Sequence, residues 1–145
     1  MVKYIFDVDG TLTGSRDRMN KDFAVWFSKF CQHNDVYLVT GSDRPRTVEQ
    51  VGEFIYHKCK RGYQCSGNDV WEGDRNIRTN DWVLPELARY FLNSCLYESK
   101  FGIRTGNHID ERPGMINFSI LGRGATTEQR AAYVSVDIQM NERRI

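Results

Sequence analysis

Two aspartates, Asp7 and Asp9, are the residues of this chain best suited to chemistry. They come at the end of an apolar run, residues 2–8, and Gly10 follows them directly. A carboxylate held at the end of a strand can act as a nucleophile, and a second carboxylate two positions later can give or take a proton. Two such groups need a counter-cation, and their oxygen atoms favour Mg²⁺. We therefore predict that Asp7 and Asp9 are catalytic residues and metal ligands. The alternative is an ordinary Asp-Gly turn after a strand.

A second polar segment, Thr40-Gly41-Ser42, directly follows another apolar run, residues 36–39. Ligands of open parallel sheets bind beyond the carboxyl ends of the strands. If both runs are neighbouring parallel strands, the two polar segments lie at the same edge of the sheet. The sequence therefore predicts a binding site at that edge, although Thr-Gly-Ser also occurs in many ordinary turns.

The elements that would position these segments alternate between strand and helix. Residues 2–8, 36–39 and, more weakly, 63–65 have the composition of buried strands. Apolar residues recur at helical spacing at Phe23, Trp26, Phe27, Phe30 and Cys31, and again at Val48, Val51 and Ile55. We expect the second helix to begin near Pro45 and to continue through Gly52, where a glycine allows close packing. This order predicts a parallel sheet with right-handed crossovers.

From residue 69 onward the pattern becomes that of an antiparallel α+β lobe. Residues 69–77 resemble a polar hairpin, and a helix begins near Pro85 with Leu87, Phe91 and Cys95 on one side. Residues 103–112 and 115–121 predict two strands joined by a Pro-Gly turn, and Thr126 with Gln129 forms a capping box for a last helix. We therefore predict two parts, the first half of an α/β core over residues 1–68 and an inserted lobe over residues 69–145.

Composition excludes several classes of protein. The chain has 145 residues, is 40% hydrophobic and carries a net charge of +1, so it can build a packed core, and its charge disfavours a strongly basic nucleic-acid binder but not a local anion site. Its apolar runs are too short to span a membrane, and no signal segment opens the chain. The four cysteines form no CxxC pair, which indicates reduced, buried thiols in a cytoplasmic protein.

Residues 6–13 read Phe-Asp-Val-Asp-Gly-Thr-Leu-Thr and resemble the signature of the haloacid dehalogenase (HAD) superfamily of phosphotransferases. The resemblance implies a HAD-like Rossmannoid parallel-sheet core with an inserted antiparallel α+β cap. It implies an aspartyl phosphate on Asp7, proton transfer by Asp9 and a Mg²⁺ ion held by both. It also implies that Thr40, with Gly41 and Ser42 beside it, orients the phosphoryl group.

Residues 112–123 read Arg-Pro-Gly-Met-Ile-Asn-Phe-Ser-Ile-Leu-Gly-Arg and resemble the cap of eukaryotic-type phosphomannomutases, whose pattern is Arg-x-Gly-Met-x-Asn-x-Ser-x-x-Gly-Arg. Glu-Gln-Arg at residues 128–130 matches the start of the family's next cap helix. The resemblance implies that three arginines bind the distal phosphate of a sugar phosphate: Arg112, Arg123 and Arg130. Arg16 matches a further arginine near the phosphate, and Asn117 would line the pocket. Guanidinium groups suit this role because they grip phosphate bidentately.

The resemblance leaves more than one activity open. A phosphomannomutase would interconvert mannose 1-phosphate and mannose 6-phosphate, whereas a phosphatase on the same scaffold would transfer the phosphoryl group to water. Family members also supply a lysine and a Gly-Asp…Asn-Asp segment after the cap, and this chain stops before them. A truncated, inactive sugar-phosphate-binding module is therefore the third interpretation. The hexose is not determined by the sequence.

Two further expectations concern metal ligands and partners. Gly73-Asp74 with Asn80-Asp81 imitates the family's late acidic segment, but no apolar strand precedes it. We therefore expect it to lie outside the metal site. The partner is expected to be a sugar phosphate, with neither nucleic acid nor membrane involved. A homodimer is compatible with apolar residues on an exposed face of the lobe, such as Ile103, Ile109 and Phe118.

Overall fold

The computed structural model describes residues 2–15 and 17–141, which form two compact units divided between Trp82 and Val83. The first unit contains, in chain order, β1 (Lys3–Phe6), α1 (Lys21–His33), β2 (Asp35–Val39), α2 (Arg44–Val51), α3 (Glu53–Lys58), β3 (Arg61–Gln64), β4 (Asp69–Glu72) and β5 (Arg75–Thr79). The second contains α4 (Glu86–Glu98), β6 (Ile109–Arg112), β7 (Met115–Phe118) and α5 (Thr127–Met140).

The first unit is built on a five-stranded sheet in the order β1-β2-β3-β4-β5. β1 pairs with β2 and β2 pairs with β3 in parallel, with Phe6 beside Leu38 and Leu38 beside Gly62. The predicted α/β class with a parallel core is therefore confirmed. Because the three strands run in the same direction, the segments that follow them lie at one edge of the sheet.

Helix α1 covers β1 through aromatic contacts. Its N-cap, Asn20, accepts hydrogen bonds from the backbone N–H groups of Asp22 and Phe23, which satisfies donors that the first turn leaves unpaired. Phe27 is fully buried, and its ring meets Phe6 edge to face at 5.3 Å between centroids. Packing of this stripe against the sheet forms the main core of the unit.

The second predicted helix is divided in two by Gly52. This residue has a φ of +86°, ends α2 and precedes α3. Our expectation of a continuous helix with a closely packed glycine was wrong, because an added Cβ at Gly52 would meet no atom within 4 Å. The glycine is needed for its left-handed backbone conformation, which most other residues adopt only at a cost.

The hairpin β4–β5 belongs to the same sheet as β1–β3. Tyr63 of β3 pairs with Val70 of β4 in antiparallel register, so residues 69–79 extend the core sheet. We had placed the start of the inserted lobe at residue 69, whereas the compact units divide between Trp82 and Val83. The difference has a local cause: a tight turn at residues 65–67 reverses the chain directly onto β3.

The second unit has a smaller core formed by Phe101, Ile120, Leu121 and Tyr133. Its predicted strands are shorter than expected, because regular pairing covers only Ile109–Arg112 with Met115–Phe118. Helix α5 begins with the predicted capping box of Thr126 and Gln129. Within the described parts of the chain, the structure contains no helix long and apolar enough to cross a membrane.

Candidate functional site

The loop after β1 is wound tightly around one carbonyl group. The Val8 carbonyl accepts hydrogen bonds from the backbone N–H groups of Thr11, Leu12 and Thr13 at 3.2, 3.0 and 3.1 Å. Gly10 makes this turn possible with a φ of +77°. These hydrogen bonds hold the loop that carries Asp7 and Asp9, one on each side of Val8, in a defined conformation.

The two aspartates have different surroundings. Asp7 is exposed, and its Oδ2 accepts one long hydrogen bond of 3.4 Å from the Thr11 hydroxyl. Asp9 is half-buried and accepts a hydrogen bond from Gln50 Nε2 at 2.8 Å and another from the Ser42 hydroxyl at 3.2 Å. The first carboxylate is thus accessible to a ligand, while neutral donors hold the second in one orientation.

The segment after β2 lies beside Asp9, as the parallel sheet requires. Thr40 is almost fully buried, and its backbone N–H donates to the Tyr63 carbonyl of the adjacent strand at 3.0 Å. Its hydroxyl oxygen accepts from the Ser42 N–H at 3.1 Å. The structure therefore brings the predicted residues Asp9 and Ser42 into contact, with Thr40 anchoring the turn between them.

The turn after β3 contributes a residue that the sequence analysis did not identify. Cys65, Ser66 and Gly67 all have left-handed backbones, with φ values of 50°, 57° and 86°. Hydrogen bonds from the Cys65 and Ser66 N–H groups to the Ser42 and Thr40 carbonyls, at 3.0 and 2.9 Å, hold this conformation. The exposed Ser66 lies next to Gly41, because its hydroxyl oxygen is 3.9 Å from where a Gly41 Cβ would stand. The Ser-Gly pair was a turn signal that could have drawn attention to it.

The sequence analysis also did not identify two buried polar residues on α2, Gln50 and Thr47. Gln50 is 2% exposed and bonds both Asp9 and the Thr13 hydroxyl, while its own Oε1 has no partner among the described residues. Thr47, one turn earlier, donates to Gln64 Oε1 at 2.7 Å. Thr47 and Gln50 lie three positions apart on a helix face that should be apolar, and this pattern could have indicated their role from the sequence.

This network continues to a tyrosine. Gln64 Nε2 donates to the Tyr56 hydroxyl at 3.2 Å, and both side chains are buried. Burial raises the pKa of Tyr56 above its ordinary value, so the residue stays neutral and keeps its hydroxyl proton. Thr47, Gln64 and Tyr56 therefore form a buried polar chain behind the site, and the Arg44 guanidinium lies 5.3 Å from the centroid of the Tyr56 ring at its end.

The late acidic segment contacts α2, α3 and the turn before β4, and its exclusion from the metal site stays a prediction. Asp74 forms ion pairs with Arg44 at 2.5 Å and with His57 at 3.0 Å. Asn80 donates from its side-chain amide to Asn68 Oδ1 at 2.9 Å. The Asp74 contacts hold the β4–β5 turn against α2 and α3, which gives Asp74 a structural role, while the Asn80 contact joins the two ends of the hairpin.

The second unit holds the predicted arginines. Arg112 and Arg123 both donate to Oδ2 of Asp110, from Nη2 at 2.9 and 2.8 Å. Asn117 stands opposite Asp110 in the β6–β7 register. Arg130 Nε donates to the Ala125 carbonyl at 3.2 Å, and its buried Nη2 has no hydrogen-bond partner within the described structure. A buried guanidinium nitrogen without an acceptor is suited to an anion.

The predicted residues are therefore grouped in two places. Within the first unit, the structure gathers Asp7, Asp9, Thr40, Gly41 and Ser42 at the carboxyl ends of the parallel strands. Within the second, Asp110 joins Arg112 to Arg123. The prediction for Arg16 lies outside the described residues.

Comparison with known proteins identifies the family. Residues 23–145 match the family model described as eukaryotic phosphomannomutase. The chain belongs to the eukaryotic phosphomannomutase family. Because the match begins after the Asp7–Gly10 loop, family membership does not depend on that motif.

Individual phosphomannomutases agree with this assignment. The chain is 30% identical over 140 residues to the phosphomannomutase of Encephalitozoon cuniculi, covering 92% of this chain and 55% of that protein. It is 28% identical over 141 residues to phosphomannomutase 1 of Mus musculus, covering 92% of this chain and 54% of that protein. The chain therefore spans about half the length of these phosphomannomutases.

The fold has parallels beyond the phosphomannomutase family. An IMP-bound, N-terminally truncated IMP-nucleotidase from Plasmodium falciparum superposes with a TM-score of 0.50 and 14% identity, covering 99% of this chain and 47% of that one. At this identity the similarity concerns the fold alone. Together with the parallel sheet, it agrees with the α/β class predicted for this phosphomannomutase-family chain.

The donor set of this phosphomannomutase-family site fits a hard cation. Among the described residues it offers two carboxylates, with the hydroxyl groups of Thr11 and Ser42 and the side-chain amide of Gln50 in contact with them. Within residues 2–15 and 17–141, no group of three His, Cys, Asp or Glu side chains could hold a metal ion. A cation that keeps several waters and takes one or two carboxylates is compatible with this arrangement.

Proposed function

We propose that this protein is a Mg²⁺-dependent phosphotransferase that acts on sugar phosphates through an aspartyl phosphate, most like a phosphomannomutase. The observation that carries the proposal is the pair formed by the exposed Asp7 and the hydrogen-bonded Asp9 at the carboxyl end of a parallel strand. Family membership supports the choice of sugar phosphates as substrates.

In this proposal the two aspartates divide the chemistry. A carboxylate oxygen of Asp7 attacks phosphorus, and the bond between phosphorus and the sugar oxygen breaks. Asp9 gives its proton to the departing sugar oxygen and later removes a proton from the hydroxyl group that accepts the phosphoryl group. The exposure of Asp7 favours the nucleophilic role, because an attacking oxygen must reach its substrate.

The fixed orientation of Asp9 supports its role as acid and base. Gln50 and Ser42 restrict the Asp9 carboxylate from two sides, which keeps its oxygens at one position in the site. Proton transfer needs the donor within hydrogen-bond reach of the reacting atom. Thr40, Gly41 and Ser42 are proposed to orient the phosphoryl group with their N–H and hydroxyl groups.

Mg²⁺ would be held by Asp7 and Asp9. The ion would neutralise the carboxylates and the incoming phosphate, which otherwise repel one another. Asp7 is the more accessible ligand of the two, since hydrogen bonds already engage the Asp9 carboxylate.

The second unit is proposed to act as a cap that recognises the distal phosphate. Arg112, Arg123 and Arg130 supply the guanidinium groups, and Asn117 lines the same face of the two-stranded sheet as Asp110. The buried Nη2 of Arg130, which has no hydrogen-bond partner in residues 2–15 and 17–141, supports this assignment. Arg16 is proposed to contribute a further contact to phosphate.

The proposal is tested by phosphorus NMR of mannose 1-phosphate with the purified chain, Mg²⁺ and a trace of glucose 1,6-bisphosphate. Conversion to mannose 6-phosphate that is lost in Asp7→Asn supports the mutase. Release of inorganic phosphate that depends on Asp7 makes the protein a phosphatase. Binding of the sugar phosphate with neither reaction identifies a binding module and contradicts the proposed activity.

Two proposals concern the protein's setting. We propose a cytoplasmic protein, because the sequence has no CxxC pair and three of its four cysteines are buried, as is usual for thiols in a reducing compartment. We also propose a homodimer, supported by the exposed Leu87, Tyr90 and Phe91 on α4. Sedimentation velocity of the wild type and of a Leu87→Glu variant tests the dimer: a monomeric wild type would contradict it.

A further inference from the structure

One carboxylate oxygen in the second unit serves two arginines. Oδ2 of Asp110 accepts hydrogen bonds from Arg112 at both Nε (3.2 Å) and Nη2 (2.9 Å). The same oxygen lies 2.8 Å from Nη2 of Arg123. The guanidinium groups of Arg112 and Arg123, which belong to different segments of the chain, are therefore both hydrogen-bonded to this one oxygen atom.

The sequence produces this arrangement in two ways. Asp110 and Arg112 are two positions apart on β6, so their side chains leave the same face of the strand. Arg123 is brought to that face by its backbone N–H, which donates to the Asn107 carbonyl at 2.9 Å, just before β6. Asn117 completes the face as the cross-strand partner of Asp110.

The Asp110 carboxylate reduces the electrostatic repulsion between the Arg112 and Arg123 guanidinium groups. Two neighbouring guanidinium groups repel each other, and each long side chain loses rotamer freedom when it is fixed. The shared carboxylate offsets the repulsion and orders both side chains before any ligand arrives. Ligands bind more tightly to groups that are already ordered, because the ordering does not have to be done on binding.

The acid also affects which anions are accepted. Each guanidinium has five N–H donors, and the contacts with Asp110 engage two of those on Arg112 and one on Arg123. The Asp110 carboxylate can only accept hydrogen bonds when ionised. It therefore repels the phosphoryl oxygens of any phosphate, but a sugar ester can offset this repulsion by donating a hydrogen bond from a hydroxyl group that lies apart from the oxygens held by the arginines.

From this geometry we propose that Asp110 is the positioning residue for Arg112 and Arg123, and that it favours phosphate esters bearing hydroxyl groups over inorganic phosphate. The proposal rests on the proposed function, in which these arginines bind the distal phosphate of a sugar phosphate. It adds an acidic residue to a proposed phosphate site whose other charged residues are arginines.

The test compares Asp110→Asn with a matched control, Glu111→Gln. Both variants remove one acid from β6, but Glu111 is paired with Arg89 at 2.8 Å and not with the two arginines. Affinities for mannose 1-phosphate and for inorganic phosphate are measured by calorimetry without Mg²⁺, which keeps the anions from the aspartate pair. Asp110→Glu tests rescue by a restored carboxylate.

Asp110→Asn is expected to weaken mannose 1-phosphate binding at least fivefold while leaving inorganic phosphate binding unchanged or tighter. Asp110→Glu should recover part of the selectivity, and Glu111→Gln should match the wild type. A parallel loss for both anions, or no change for either, would overturn the selectivity.

A second measurement separates this proposal from the proposed function. The Arg112 Nε–H signal in ¹⁵N NMR of the ligand-free chain should exchange slowly with water in the wild type and rapidly in Asp110→Asn. If no anion binds the wild type, the proposed function and the selectivity fail, while this signal still decides whether Asp110 positions the arginine. Rapid exchange in the wild type would overturn the positioning role.

Discussion

The side-chain amide of Gln50 donates a hydrogen bond of 2.8 Å to the carboxylate of Asp9, across 41 positions in the sequence. The same nitrogen lies 3.3 Å from the Thr13 hydroxyl, so Gln50 connects α2 to both ends of the Asp9 loop. Asp9 therefore owes its orientation to a helix that contains none of the predicted catalytic residues.

Gln50→Leu keeps the side-chain volume but removes the donor to Asp9. We expect the turnover of the phosphorylated protein to fall by about 10–100-fold, because general acid–base catalysis requires a positioned group. Only a small change in thermal stability is expected, since the substitution also removes the buried Oε1, which no described residue satisfies. Rapid-quench measurement of phosphoenzyme decay checks the first effect, and calorimetry the second. Unchanged decay would mean that Ser42 alone suffices to hold Asp9.

Asp7→Asn should abolish phosphoryl transfer while leaving the fold intact. The amide is not a nucleophile comparable to the carboxylate, so activity should decrease by at least about 10³-fold. Asp7 is exposed and, among the residues that the structure describes, its side chain bonds only Thr11, so the melting temperature should be within about 2 °C of the wild type. Acid-quenched labelling with a phosphoryl donor measures the phosphoenzyme directly. A labelled Asp7→Asn protein would place the nucleophile elsewhere.

Ser66→Gly should stabilise the protein by up to about 1 kcal/mol, because the left-handed conformation costs a residue with a Cβ about that much. Ser66→Ala is the matched control, since it removes the hydroxyl but keeps the unfavourable φ of 57°. Urea unfolding of both variants provides the comparison. Equal stability of the two variants would show that backbone strain at Ser66 is negligible.

Gly122→Ala should destabilise the second unit by about 3 kcal/mol or more. Its φ is +89°, and an added Cβ would come within 1.7 Å of the Thr105 carbonyl oxygen, which is backbone and cannot rotate away. Gly102→Ala is the control, because a Cβ there meets nothing within 4 Å. Hydrogen exchange of the Thr105 amide, which donates to the Leu121 carbonyl, should accelerate only in Gly122→Ala.

The ion pair of His57 with Asp74 should strengthen as the pH falls from 8.5 to 5.5. The hydrogen bond to the Glu53 carbonyl and then the Asp74 carboxylate raise the pKa of His57 above its usual value. A raised folded-state pKa means that the stabilisation is fully present below the unfolded value and is lost as the pH rises through the folded one. The histidine chiefly lowers the pKa of Asp74, so that carboxylate stays charged at pH 5.5.

A double-mutant cycle of His57→Gln and Asp74→Asn measures this coupling at both pH values. The contribution is modest because Asp74 is exposed and solvent screens the pair. A coupling energy that is larger at pH 8.5 than at pH 5.5 would contradict the assignment of an imidazolium at His57.

Much of the first unit followed from local pattern. The apolar runs predicted β1 and β2, and the spacing of Phe23, Phe27 and Phe30 predicted α1, because a strand or helix must place its apolar side chains on the buried side. The capping box at Thr126 and Gln129 likewise predicted the start of α5. These features depend on residues only a few positions apart.

The sequence by itself determined the α/β class, the Asp7–Asp9 motif and its place after a strand, since each depends on local composition and spacing. Tertiary structure decided what surrounds the motif: Gln50 and Ser42 on Asp9, the Ser66 turn beside Gly41, and the sharing of Asp110 by two arginines. It also decided that β4–β5 joins the core sheet. These are contacts between distant segments, and they are selected by the packing of the whole unit, which local propensity does not encode.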